Sequence, residues 1–98
     1  MKERKSEGRD TAAVARRLIL TRQVMGMQQN EFAEAAGIKT NTYNQWENAV
    51  GKPDLEGAHK LCDGHGLTLD WIYRGDASGL KYDLAQAIKM LRQARRQG

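Results

Sequence analysis

Glycine divides this chain into short pieces. Gly26, Gly37, Gly51, Gly64, Gly66, Gly75 and Gly79 punctuate it, and the segments between them are rich in helix formers. Proline occurs once and aromatic residues make up 6% of the 98 residues, which disfavours a β-rich fold with many tight turns. The pattern predicts an all-α fold of short helices. Ninety-eight residues make one small domain, and a hydrophobic content of 40% supports a modest core.

The spacing predicts a flexible arm over residues 1–9, which carries charge without apolar periodicity. A compact domain over residues 10–76 follows, then an amphipathic helix or tail over residues 80–97. Asp10 and Thr11 suit a helix start, and Val14, Leu18, Thr21 and Met25 share one helical face up to Gly26. Met27 to Ala36 forms a second helix, stopped at Gly37, and Lys39 to Asn48 a third. Pro53 and Asp54 start a fourth, with Leu55, Ala58, Leu61 and Cys62 inward. Thr68 caps a short fifth helix, Leu69 to Tyr73. Leu84, Ile88 and Leu91 lie on one face of the tail.

Charge is unevenly placed. The formal net charge is +4, with 16 basic and 12 acidic residues and a pI near 9.5. Residues 1–22 hold seven basic and three acidic side chains, residues 23–78 four and eight, and residues 79–98 five and one. Basic ends therefore flank an acidic middle. Such ends attract an anionic polymer, and Lys2, Arg4, Lys5 and Arg9 on the arm suit a nucleic-acid backbone or minor groove. A plain solubilising tail has the same composition. One cysteine excludes an intramolecular disulfide framework and fits a reducing cytoplasm. No apolar run approaches a membrane span, and the N-terminus does not read as a signal peptide.

The informative stretch is Gln29 to Asn48, a helix, a glycine turn and a second helix. Ala33 is small where two helices cross closely, and Gly37 permits the positive φ of a tight turn. Ile38, Tyr43 and Trp46 anchor the second helix inward. Thr40, Asn41, Asn44 and Gln45 remain on the opposite face, all polar and uncharged. Asn and Gln can make paired hydrogen bonds to adenine in the major groove, and Thr offers a hydroxyl and a methyl. An ordinary solvated helix more often shows Lys and Glu.

From about Val14 to Asp76 the chain resembles the lambda-repressor-like helix-turn-helix domain of the Cro and xenobiotic-response-element type. The residues that carry the resemblance are Leu18, Arg22, Gly26-Met27, Gln29, Phe32-Ala33, Ala36-Gly37-Ile38, Tyr43, Trp46-Glu47-Asn48, Pro53, Leu61 and the run Leu69 to Asp76. The resemblance implies a five-helix DNA-binding domain, here with a basic C-terminal helical extension. It implies base contacts from Thr40, Asn41, Asn44 and Gln45, and phosphate contacts from Gln28, Gln29, Lys39, Asn48 and Lys52. Arg22 and Glu47 resemble a family ion pair that ties the first helix to the end of the third. Double-stranded DNA is the implied partner, bound by a homodimer on a near-palindromic site.

The sequence departs from the family pattern in three places. Ala49 stands where a Gly commonly follows Asn48. Ile19 and Leu20 replace charged surface residues and suggest an added apolar contact with the tail. Gln28 replaces a Ser-type cap, which predicts a weaker start to the second helix.

Other chemistries find less support. His59, Cys62 and His65 come close at helical spacing, but they are three ligands where a structural zinc wants four, so no metal and no cofactor is expected. No paired nucleophile and base, phosphate loop or acidic metal cluster points to an enzyme. Trp71, Ile72 and Tyr73 with Leu84, Ile88 and Leu91 form an expected dimer surface; docking of the tail on its own domain, or a disordered tail, are the other readings. The leading functional reading is a cytoplasmic prokaryotic or phage transcriptional regulator, most simply a repressor. A DNA-binding antitoxin with a toxin on its C-terminal helix, or an interaction module that no longer binds DNA, are the alternatives.

Overall fold

A computed structural model describes the backbone of residues 2–97 and the side chains of residues 10–95. Helix α1 spans Lys2–Val24, α2 Gln29–Ala35, α3 Thr40–Glu47 and α4 Leu55–His65. A π-helical turn, Asp70–Arg74, and a 3₁₀ turn, Ala77–Gly79, lead into α5, Tyr82–Gln97. The fold is all-α, with no strand among the described residues.

Phe32 and Trp71 organise the core, and both are fully buried. The Phe32 ring stacks on the His65 imidazole at 3.8 Å and tilts against Tyr43 at 5.3 Å, so α2, α3 and α4 meet on it. Trp71 reaches from the π-helical turn toward α1, where its indole N–H donates to Thr21 Oγ1 at 2.9 Å. Val14, Leu18 and Leu61 fill the space between, and each of these large apolar side chains contributes about 1.5–3 kcal/mol by leaving water.

The structure differs from the sequence expectations in four places. Helix α1 extends back to Lys2, so the stretch read as a flexible arm is helical. The arm reading rested on missing apolar periodicity, which reports burial; Lys, Glu and Arg are good helix formers without it. The side chains of Lys2, Arg4, Lys5 and Arg9 lie outside the described residues. Leu55 is 60% exposed instead of inward. Gly57, about 200° round the helix from it, faces the Trp46 ring and sets the roll of α4. The fifth helix is a π-helical turn, with Thr68 Oγ1 accepting the Trp71 backbone N–H at 3.0 Å.

The fourth difference concerns the tail. Helix α5 packs on α1, and Ile88 is buried there together with Leu20. Trp71, Ile72 and Ile88 are each at most 2% exposed within the single chain, so they are not available as a dimer surface. Tyr73, Leu84 and Leu91 are half-buried against the same core. The tail's apolar seam covers its own domain because Leu20 and the π-helical turn leave an apolar face for it to close.

Candidate nucleic-acid interface

The turn between α2 and α3 is built by Gly37 at φ +74° and by the Ile38 N–H, which donates to Ala33 O at 2.9 Å. Ile38 is buried directly after it and pins the start of α3. On α3 itself, Tyr43, Trp46 and Glu47 are buried. Asn41, Asn44, Gln45 and Asn48 are exposed at i, i+3, i+4 and i+7, one continuous stripe facing away from the core. Thr40 is half-buried at the helix start. Lys39 is exposed immediately before it, so the presented face is hydrogen-bonding and almost uncharged.

An ion pair between half-buried Arg22 and buried Glu47 braces this helix. Arg22 Nε donates to Glu47 Oε2 at 2.7 Å and Arg22 Nη2 to Glu47 Oε1 at 3.1 Å. Arg22 Nη1 also donates to the Met27 carbonyl at 3.1 Å, fixing the α1–α2 turn. Gln29 Nε2 donates to Glu47 Oε1 at 2.8 Å, which ties the start of α2 to the same carboxylate. Burial opposes charge on Glu47, but hydrogen bonds from Arg22, Tyr43 and Gln29 outweigh it and hold the carboxyl below its usual range. The hydrogen bond to Glu47 raises the Arg22 guanidinium in turn, and burial pushes the Tyr43 phenol well up.

The side chains of Gln29, Asn44 and Asn48 are thus engaged within the protein. Gln29 holds Glu47 through its amide nitrogen. Asn48 Nδ2 donates to Asn44 Oδ1 at 3.2 Å across one turn of α3. Gln28 is exposed, and its backbone N–H donates to Glu31 Oε1 at 2.9 Å. That bond supports the α2 start despite the absence of a Ser-type residue.

The loop after α3 is held at both ends. Ala49 takes φ +61°, and the Val50 N–H returns to Gln45 O at 3.0 Å, closing the helix. Tyr73 Oη donates to the Pro53 carbonyl at 2.7 Å, and Asp54 Oδ1 caps α4 by accepting the Gly57 N–H at 2.8 Å. Lys52 projects between these anchors and is exposed.

Two exposed residues beside the stripe escape the sequence reading. Thr42 is exposed on α3, on the side toward α4. Val50 is 72% exposed in the loop, an apolar side chain beside Asn48. Periodicity does not single out Val50, because the left-handed Ala49 reverses the chain there. Tyr73 also acquires a role that no spacing indicates, since its partner Pro53 lies in a different segment.

Candidate metal ligands do not assemble. Among the described residues no group of three or more His, Cys, Asp or Glu is placed to hold a metal ion. His65 Nε2 instead lies 2.7 Å from the Phe32 carbonyl. No helix of the described residues is long and apolar enough to cross a membrane.

The helix-turn-helix family model HTH_3 matches residues 18–72, from the last two turns of α1 into the π-helical turn. The chain belongs to this helix-turn-helix family, of the lambda-repressor and xenobiotic-response-element type. No curated protein and no solved structure matched. Helix-turn-helix domains of this family are DNA-binding regulators. The matched segment contains both the exposed α3 stripe and the Arg22–Glu47–Gln29 brace. All of α5 and the larger part of α1 lie outside it.

Proposed function

We propose that this helix-turn-helix protein is a sequence-specific transcriptional regulator that inserts α3 into the major groove of DNA. One observation carries the reading: α3 is locked on its inner face by Tyr43, Trp46 and Glu47 while an uncharged amide stripe faces out. Thr40, Asn41, Asn44 and Gln45 read base edges, and Gln28, Gln29, Lys39, Asn48 and Lys52 meet phosphates around them. Repression by occupying a promoter is the simplest mechanism for a domain that reads DNA through α3. A homodimer on a palindromic operator fits the family, and Tyr82 and Met90, 75% and 66% exposed on α5, are its apolar candidates for pairing.

Selection of bound sequences from a random DNA pool tests the reading. A palindromic consensus is expected, with Asn41→Ala and Gln45→Ala each weakening binding to it by about 1–3 kcal/mol. Unchanged affinity in both variants would overturn the assignment of the α3 face.

A further inference from the structure

Between α1 and α5 lies an open cleft of about 550 Å³, within the size range of small-ligand sites. Four arginines line it: Arg16 and Arg17 from α1, Arg92 and Arg95 from α5. Its remaining lining is apolar, chiefly Ile19 and Leu20. No acidic side chain lines it among the described residues. The cleft therefore combines converging positive charge with an apolar wall.

Three of the four arginines are held by contacts within the protein. Arg17 Nη1 donates to the Ile72 carbonyl at 2.9 Å, and its guanidinium packs against Gly75 so closely that a Cβ there would stand 2.8 Å from Arg17 Nε. Arg92 lies over the Trp71 ring at 5.2 Å, and Arg95 Nη2 donates to Gln23 Oε1. Burial and the neighbouring Arg92 lower the Arg17 pKa, and they outweigh support from Asp10. Exposed like charges thus stand beside the half-buried Arg17, an arrangement that an anion would relieve.

From this cleft we infer a binding site for a small amphipathic carboxylate, its head held by Arg16, Arg17, Arg92 and Arg95 and its apolar body against Ile19 and Leu20. Planar guanidinium forks suit the two oxygens of a carboxylate, and the wall accounts for a hydrocarbon portion. The site uses no residue of the DNA-reading face, since its lining comes from α1 and α5. Ala13, Arg16, Arg17, Arg92 and Arg95 also fall outside residues 18–72, so the shared family segment does not supply it. A bound carboxylate bridges α1 and α5 and strengthens the docking of the tail.

Calorimetric titration of the full chain with octanoate tests the proposal, with octanol and inorganic phosphate as comparison ligands. Octanoate is expected to bind more tightly than either. Arg16→Gln and Arg92→Gln are each expected to weaken octanoate about tenfold while the protein remains folded by circular dichroism. Absence of octanoate binding at millimolar concentration overturns the site. Equal binding of octanol shows that the arginines do not select the ligand, and equal binding of phosphate shows that the apolar wall does not; either result also overturns it. If the two variants lose affinity for non-specific DNA without any octanoate binding, the arginines serve nucleic acid and the proposal fails.

Discussion

Trp71 and Thr21 are joined by a buried hydrogen bond, indole N–H to hydroxyl oxygen at 2.9 Å, between the π-helical turn and the last turn of α1. The same hydroxyl donates to the Arg17 carbonyl at 2.6 Å, so its position is set by the helix it stands on. Both side chains are 0% exposed, which leaves no water to replace either partner. Thr21→Val keeps the shape and removes the acceptor. It is expected to destabilise the fold by about 1–3 kcal/mol in urea unfolding, whereas Thr21→Ser retains the bond and costs less.

The Glu47 carboxylate makes stability depend on pH with a defined sign. Its pKa in the folded protein lies below the ordinary value, so its contribution is complete above about pH 4.3 and is lost as pH falls through the lower folded value. Glu47→Gln leaves half-buried Arg22 without its charged partner, and the expected loss at neutral pH is about 1.5–3 kcal/mol. The difference between wild type and variant is expected to shrink as pH falls, because protonated Glu47 resembles Gln. Urea midpoints measured from pH 7 to pH 2.5 check this.

Ala49 is the one non-glycine with positive φ among the described residues, at +61°. A Cβ in the left-handed region costs about 1–2 kcal/mol, part of which glycine recovers. Ala49→Gly is therefore expected to raise stability by about 0.5–1 kcal/mol, read as a higher melting temperature. An unchanged or lower melting temperature would show that the loop holds Ala49 without strain.

Gly57 leaves room for the indole that anchors α3. A Cβ built on it would stand 2.7 Å from Trp46 Cη2 and 2.9 Å from Asp54 Oδ1. Gly57→Ala should force the ring or the α4 cap to move, despite alanine's better helix propensity. A loss of about 1–3 kcal/mol is expected, with a shift of the Trp46 indole N–H resonance. If stability rises instead, α4 is looser against α3 than its packing indicates.

Much of the reading face is legible in the sequence because helical periodicity is local. Tyr43 and Trp46 on one side and Asn41, Asn44 and Gln45 on the other are separated by spacing alone, and Gly37 marks the turn before them. The Arg22–Glu47 pair is different, since nothing within either segment dictates it. A family pattern points to it, and the folded chain supplies its third partner, the Gln29 amide, with the donor bonds that keep Glu47 charged.

The amino-acid sequence by itself determined an all-α chain, its glycine breaks, and which residues of α3 face inward or outward. These follow from local propensity and a 3.6-residue repeat. Only the tertiary structure decided that Gly57 rather than Leu55 faces Trp46, that the indole of Trp71 finds Thr21, and that α5 closes on α1 by burying Ile88. Each depends on which surfaces meet across long separations in the chain, where a residue's polarity says that it is covered but not by what. The same closure gathers Arg16, Arg17, Arg92 and Arg95, far apart in the sequence, around one cleft.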